Sequence, residues 1–457
     1  MNHALVLRLI FSLALALRLC TVGVAQQSAE TSPASEAEIL FQNVRIFDGK
    51  NGALSAPSNV LIKGNKIERI STDAIAVEGE PTVIDAAGRT LMPGLIDAHW
   101  HAALAAIPRL VAHTGDIGYI NFVAGHQARA TLLRGFTTIR DLGGATFALK
   151  RAIDEGIIDG PRIFPCGAVI SQTGGHGDPR PQYEVPRALN ASLSQPERIG
   201  QTAIADGADA VLLRVREQLM LGACQIKLMA GGGVASDFDP LDVTQYTEAE
   251  LRAAVAAADN WGTYVTVHAY TPKAIRAAIA AGVKCIEHGH LIDEPTAKLM
   301  AEKDIWWSIQ PFIGDEFASR FAEGSTNRAK ALLVIKGTDT AYGLAKKYKI
   351  KTAWGSDIVF SPHLMKTHGE QLTKLVRWYT PVEILKMATA DNAELLALSG
   401  PRNPYPGKLG VVEEGALADL IVVDGDPLAN IQLVEDPDKN FVVIMKDGKI
   451  YKDALSD

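Results

Sequence analysis

The sequence predicts an α/β fold, a (β/α)8 TIM-like barrel with a small composite β-sandwich formed by both termini. Three observations point there. Between residues 93 and 400, short apolar strands alternate with helical patterns through eight strand-then-helix units. On either side, residues 39–92 and 401–457 read as short strands and turns. The polar residues of the middle region gather where its strands end, which is where a barrel keeps its chemistry. A doubly wound sheet would alternate in the same way, so the strand-end chemistry is what favours the barrel.

The first terminal segment runs through a strand at 39–47 to the turns Asp48-Gly49 and Asn51-Gly52. Val60-Leu61-Ile62 then reaches the turn Gly64-Asn65, and residues 66–70 alternate apolar and polar. The last segment has the same character, with 420–423 reaching Asp424-Gly425 and 441–445 reaching Asp447-Gly448. The barrel strands are expected at 94–101, 136–142, 162–170, 225–229, 264–269, 285–288, 306–310 and 351–354. Helix starts between them are marked. Thr247 and Glu250 make a capping box before 251–261, and Thr271-Pro272 opens 273–281.

Residues 1–25 read as a signal peptide: Arg8, an apolar run over 9–19, then Gly23 and Ala25 before the expected cleavage. The run is too short to span a bilayer. The polar stretch 26–38 reads as a linker, which disfavours the alternative of an N-terminal helix in the mature fold. These features predict an exported chain, periplasmic or secreted, with no membrane attachment after cleavage. A formal net charge of -7, with no basic run interleaved with aromatics, argues against a nucleic-acid partner. Cys166, Cys224 and Cys285 remain after the leader and sit among apolar residues, as small buried core residues do.

The strand ends carry the functional signal. The first ends Asp97-Ala98-His99-Trp100-His101, and the two-residue spacing puts both imidazoles on one face of a strand. Lys227 lies on the fourth strand, His268 on the fifth, and His288 on the sixth with His290 just beyond; Asp357 follows the eighth. Histidine and carboxylate suit zinc and similar divalent ions. The loop 172–201, rich in Gly, Pro and Arg, follows the third strand as a lid or specificity loop would, and Arg180 and Arg187 are candidates to meet a substrate carboxylate.

Pro93-Gly94-Leu95-Ile96-Asp97-Ala98-His99-Trp100-His101 resembles the opening motif of the amidohydrolase superfamily. Ile226-Lys227, Val267-His268-Ala269, Glu287-His288-Gly289-His290 and Gly355-Ser356-Asp357 are similar to its later ligand motifs, in order. Gly415-Ala416-Leu417-Ala418-Asp419-Leu420 resembles the strand that returns to its β-sandwich. The segments 171–178 and 268–270 resemble one branch, that of Xaa-Pro dipeptidase and imidazolonepropionase-like proteins, which includes ochratoxin A-hydrolysing amidohydrolases.

The resemblance implies two divalent metal ions per chain, zinc as a rule. His99, His101 and Asp357 would hold the more buried ion and His268 and His288 the more exposed one, with Lys227 bridging as a lysine carboxylated by CO2. A free ammonium has no lone pair, whereas a carbamate offers two anionic oxygens. The nucleophile would be a water between the ions, with Asp357 as the catalytic proton carrier. His176, Tyr270 and His290 are candidates to bind substrate; alternatively His290 orients a ligand and Tyr270 packs.

The expected activity is hydrolysis of the amide to a C-terminal amino acid in a dipeptide or N-acyl amino acid, by a homo-oligomer. A cyclic-amide hydrolase or deaminase is the enzymatic alternative, although a mononuclear deaminase has no use for Lys227. A catalytically dead scaffold is the other, although all six ligand positions are filled.

Overall fold

Apolar residues spaced for a pleated, half-buried surface build five strands at the start of the chain: β1 (Glu38–Ile46), β2 (Ser58–Lys63), β3 (Lys66–Ser71), β4 (Thr82–Asp85) and β5 (Thr90–Pro93). Ten short parallel strands follow in the middle of the chain. They are β6 (Leu95–Trp100), β7 (Phe136–Asp141), β8 (Arg162–Pro165), β9 (Val169–Ser171), β10 (Thr202–Ile204), β11 (Ile226–Met229), β12 (Val265–Ala269), β13 (Cys285–His288), β14 (Trp306–Ile309) and β15 (Thr352–Trp354). The chain closes with β16 (Leu420–Val423), β17 (Phe441–Lys446) and β18 (Lys449–Asp453). The computed structural model describes residues 38–77, 79–185, 187 and 191–455. The expected signal peptide and nearly all of the linker lie outside the described residues. Among the described residues, no helix is long and apolar enough to cross a membrane.

The two termini share one sheet, in the order β18-β17-β16-β5-β1-β2-β3 with β4 beside β1. β1 joins its halves, pairing antiparallel with β2 and parallel with β4 and β5. The sheet folds over a core that includes Phe41, Val60, Ile62, Leu91, Val422 and Met445. Its β3 edge meets the segment leading into β16, where Ile67 N–H donates to Ala416 O and Ala418 N–H to Asn65 O, both at 2.9 Å. Arg162 on β8 forks onto Asp419 at 2.8 and 3.1 Å and reaches Asp447 at 2.6 Å, tying the barrel to this sheet. Asp419 belongs to the returning-strand motif, and this ion pair is the reason for an acid there.

The chain departs from the expected third strand. Instead of running unbroken over 162–170, it is interrupted at Cys166-Gly167-Ala168, with Gly167 at φ +75°. β8 pairs with β7, while β9 turns to β10 and β11. Gln225 Nε2 donates to Phe164 O at 2.8 Å and Asp141 O at 3.3 Å, supplying bonds across the gap in the ladder. β10, at the end of the long loop, is an extra strand that the sequence pattern does not announce. The predicted helices form as Glu248–Asn260, with its capping box, and Pro272–Ala281. Among the described residues, Cys166, Cys224 and Cys285 are buried and free.

β15 closes against β6 mainly through a side chain. Asn392 Nδ2 donates to Ile96 O at 2.7 Å and Trp354 O at 2.8 Å, and its Oδ1 accepts from Trp354 N–H at 3.1 Å. Asp357 N–H then donates to His99 O at 2.9 Å. This approach requires glycine at 355, where a Cβ would lie 2.3 Å from the His99 backbone nitrogen.

Candidate metal centre

At the barrel mouth, four imidazoles, a lysine and a carboxylate line one cavity of about 370 Å³. His99 ends β6 one residue before its last, and His101 lies just past it. Their Nε2 atoms stand 3.3 and 3.2 Å from Asp357 Oδ1. Ligand atoms of these three residues all fall within 4.8 Å of one another, so a candidate metal site of His99, His101 and Asp357 is present. His288 lies beside His99, with ring centroids 5.0 Å apart, and His268 lies 4.6 Å from His288. Lys227 is buried with them.

Each of the four imidazoles has one nitrogen tied to a protein acceptor. His99 Nδ1–H donates to Glu287 at 2.9 Å, and His101 Nδ1–H to Gly143 O at 3.3 Å. His268 Nε2–H donates to Gly232 O at 3.0 Å, and His288 Nδ1–H to Gln310 Oε1 at 2.7 Å. That fixes tautomer and orientation and leaves the opposite nitrogen of each ring free to give a lone pair to an ion. The donor set therefore fits a divalent cation of the zinc type. Two of these residues hold left-handed backbone, His288 at φ +73° and Asp357 at φ +50°, a strain that persists where surrounding bonds impose it. The Trp307 Nε1–H bond to His288 O at 2.8 Å is one of these.

Burial alone would push the Asp357 carboxyl up, but His99 and His101 hold it well below the usual carboxylate range. Burial, together with Asp357 in opposition and His99 and Lys227 in support, leaves His288 well below an ordinary imidazole. His268 is lowered likewise, by burial first and then by His176 and His288. Both are neutral rings with lone pairs to give. Burial also lowers Lys227, against the pull of Glu287 and Asp357.

Beneath the centre lies a buried network that the sequence alone did not reveal. Glu287 accepts from His99 and from Arg140 Nη2 at 2.7 Å, while Arg140 Nε donates to Ala98 O at 2.6 Å. Asp97 accepts from the His99 N–H at 2.8 Å and from His368 Nε2–H at 2.8 Å. Glu287 and Asp97 both stand inside the ligand motifs, which was the available signal. Their partners Arg140 and His368 are distant in sequence.

The remaining candidates separate. His176 stacks on His268 at 4.1 Å, bonds Ser236 Oγ through Nδ1 at 2.7 Å, and lines the cavity. Tyr270 also lines it, edge-on to His268 at 5.1 Å. His290 donates from Nε2 to Gln310 O at 2.8 Å and packs on Phe312 behind the cavity wall, an orienting position for Gln310. The two loop arginines are already engaged. Arg180 forks onto Asp178 at 2.8 and 2.7 Å, and Arg187 pairs with Glu197 at 2.6 Å. A substrate carboxylate would have to displace those acids, so the expectation placed on them is corrected.

Comparison with known proteins agrees with this architecture. The Amidohydrolase family model matches residues 90–451. Ochratoxinase of Aspergillus niger is 33% identical over 382 residues, covering 79% of this chain and 75% of that one. A prolidase solved with N-methylphosphonate-L-proline superposes with a TM-score of 0.83 at 35% identity, covering 91% of this chain and 100% of the prolidase. A Xaa-Pro dipeptidase solved with methionine in its active site gives 0.78 at 30% identity, covering 91% and 100%. A TIM-type barrel with its donors at the strand ends, together with these likenesses, makes the chain a hydrolase of amide or peptide bonds that belongs to the amidohydrolase family.

Proposed function

We propose that this protein is a binuclear metal-dependent amidohydrolase that releases a C-terminal amino acid from dipeptides or N-acyl amino acids, the phenylalanine amide ochratoxin A among them. The observation that carries the reading is the set of four imidazoles, each tied back through one nitrogen, around Asp357 and Lys227 in one cavity. About 370 Å³ lies within the roughly 300–1,000 Å³ typical of small-molecule sites. The likeness to a prolidase and to ochratoxinase supports the substrate class.

His99, His101 and Asp357 would hold the deeper ion, and His268 through Nδ1 with His288 through Nε2 the outer one. Lys227 would reach both as a carbamate; its buried, lowered amine favours the neutral form that reacts with CO2. When bound, two zinc ions supply a polarised carbonyl and a water acidified toward neutral pH. Asp357 would accept a proton from the attacking water and pass it to the leaving nitrogen. Tyr270 and His176, on the cavity wall, orient the substrate and donate to the oxygen that gains charge. Self-association into a homo-oligomer is part of the same reading.

The test is a screen of dipeptides and N-acyl amino acids with zinc-loaded protein, scored by release of the free C-terminal amino acid. Turnover confined to cyclic amides or to amino-substituted rings would replace this reading with the alternative chemistry of the superfamily.

A further inference from the structure

One cation in the cavity has no partner. Arg320 follows the helix Gly314–Ser319, after β14, and lines the same cavity as the metal-site residues. Among the described residues, no carboxylate lies within ion-pair distance of it, and its buried Nε lacks a hydrogen-bond partner. Glu316, four residues before it in that helix, is occupied by Lys374 at 2.6 Å and Gln371 at 3.1 Å. The guanidinium carbon stands 5.3 Å over the Phe317 ring. Other arginines around the site are committed, Arg109 to Asp237 and Arg180 to Asp178.

A partly buried guanidinium without a counter-charge is costly, and the planar fork matches a carboxylate in bidentate geometry. We infer that Arg320, placed over Phe317, grips the free α-carboxylate of the substrate's C-terminal residue and so restricts the enzyme to amides whose leaving amino acid keeps that acid. The inference rests on the amidohydrolase reading of the cavity and names the specificity residue within it. It also explains why the loop arginines are not needed for this task. Burial lowers the Arg320 guanidinium from its ordinary value, with Asp357 and Glu316 acting the other way, as expected of a cation still lacking a close anion.

The test compares N-acetyl-L-phenylalanine with its C-terminal amide on zinc-loaded wild type, Arg320→Met and Arg320→Lys. A charge-assisted bond of this kind predicts that Arg320→Met lowers the acid-over-amide ratio of kcat/KM by at least about thirtyfold, chiefly through KM, and that Arg320→Lys restores part of it. Calorimetric binding of L-phenylalanine against L-phenylalaninamide should lose the same preference in Arg320→Met. An unchanged ratio overturns the inference, whether both rates fall together, as they would if Arg320 acted through Asp357, or neither falls. Failure of wild type to hydrolyse either compound would count against the amidohydrolase reading instead, and the binding preference would then judge Arg320 alone.

Discussion

The two sides of the candidate metal centre are built differently. On the β6–β15 side, His99, His101 and Asp357 already converge on one point, with two imidazole nitrogens within 3.3 Å of one carboxylate oxygen. Beneath them are carboxylates, Glu287 paired with Arg140 and Asp97 accepting from the His368 imidazole. On the β12–β13 side, His268 and His288 rest on neutral acceptors, Gly232 O and the Gln310 amide, and do not join the three-residue cluster. The deeper half is set by the fold itself. In the proposed binuclear reading the outer half would need something between the two, and Lys227 is the buried group that would provide it.

The comparison breaks most visibly at Asp357, which in the proposed mechanism would serve the deeper half and the chemistry together. Asp357→Asn should cost about 10²–10⁴-fold in kcat with folding intact, as loss of a proton carrier does. A loss under about tenfold would move the proton transfer to another group.

The supporting bonds sharpen the contrast. Glu287→Gln removes the charge behind His99 and strands Arg140, so metal affinity should fall about 10–100-fold in a chelator competition. Because a buried cation is left unpaired, thermal unfolding should also show a loss of about 3–5 kcal/mol. Gln310→Leu takes the neutral acceptor from His288, along with the longer amide contacts at 3.3 Å to Ser308 O and His99 Nδ1. It should weaken the outer ion by under about tenfold and cost about 1–3 kcal/mol in stability. Equal effects of the two variants would erase the distinction between the halves.

The smallest effect is expected away from the ligands. Asn392→Leu removes the side chain that joins β15 to β6 but touches no donor. Its cost should be about 1–3 kcal/mol in thermal unfolding, with metal content unchanged.

What the sequence made legible follows from local periodicity. His99 and His101 share a face because strand side chains alternate, and Lys227, His268 and His288 were found because each lies on a short apolar strand. The capping box at Thr247 and Glu250 is equally local. What stayed hidden depends on pairing across the chain. Nothing near Glu287 announces Arg140, 147 residues away, or near Asp97 announces His368, 271 residues away. The break at Gly167 was masked by apolar residues on both sides, which read as one strand. Arg180 and Arg187 were nominated by loop position, yet Asp178 and Glu197 neutralise them within the same loop. Arg320, at the end of a short helix, carried no motif, and only the cavity shows it unpaired.

The central claim is that Lys227 couples the two halves by holding a second ion, and metal content tests it most directly. Carefully purified, metal-loaded wild type should contain two divalent ions per chain by elemental analysis. Lys227→Ala should keep at most the ion of His99, His101 and Asp357 and lose activity, with short carboxylic acids restoring part of both. One ion per chain at full activity, or Lys227→Ala with normal metal content and turnover, would contradict the account.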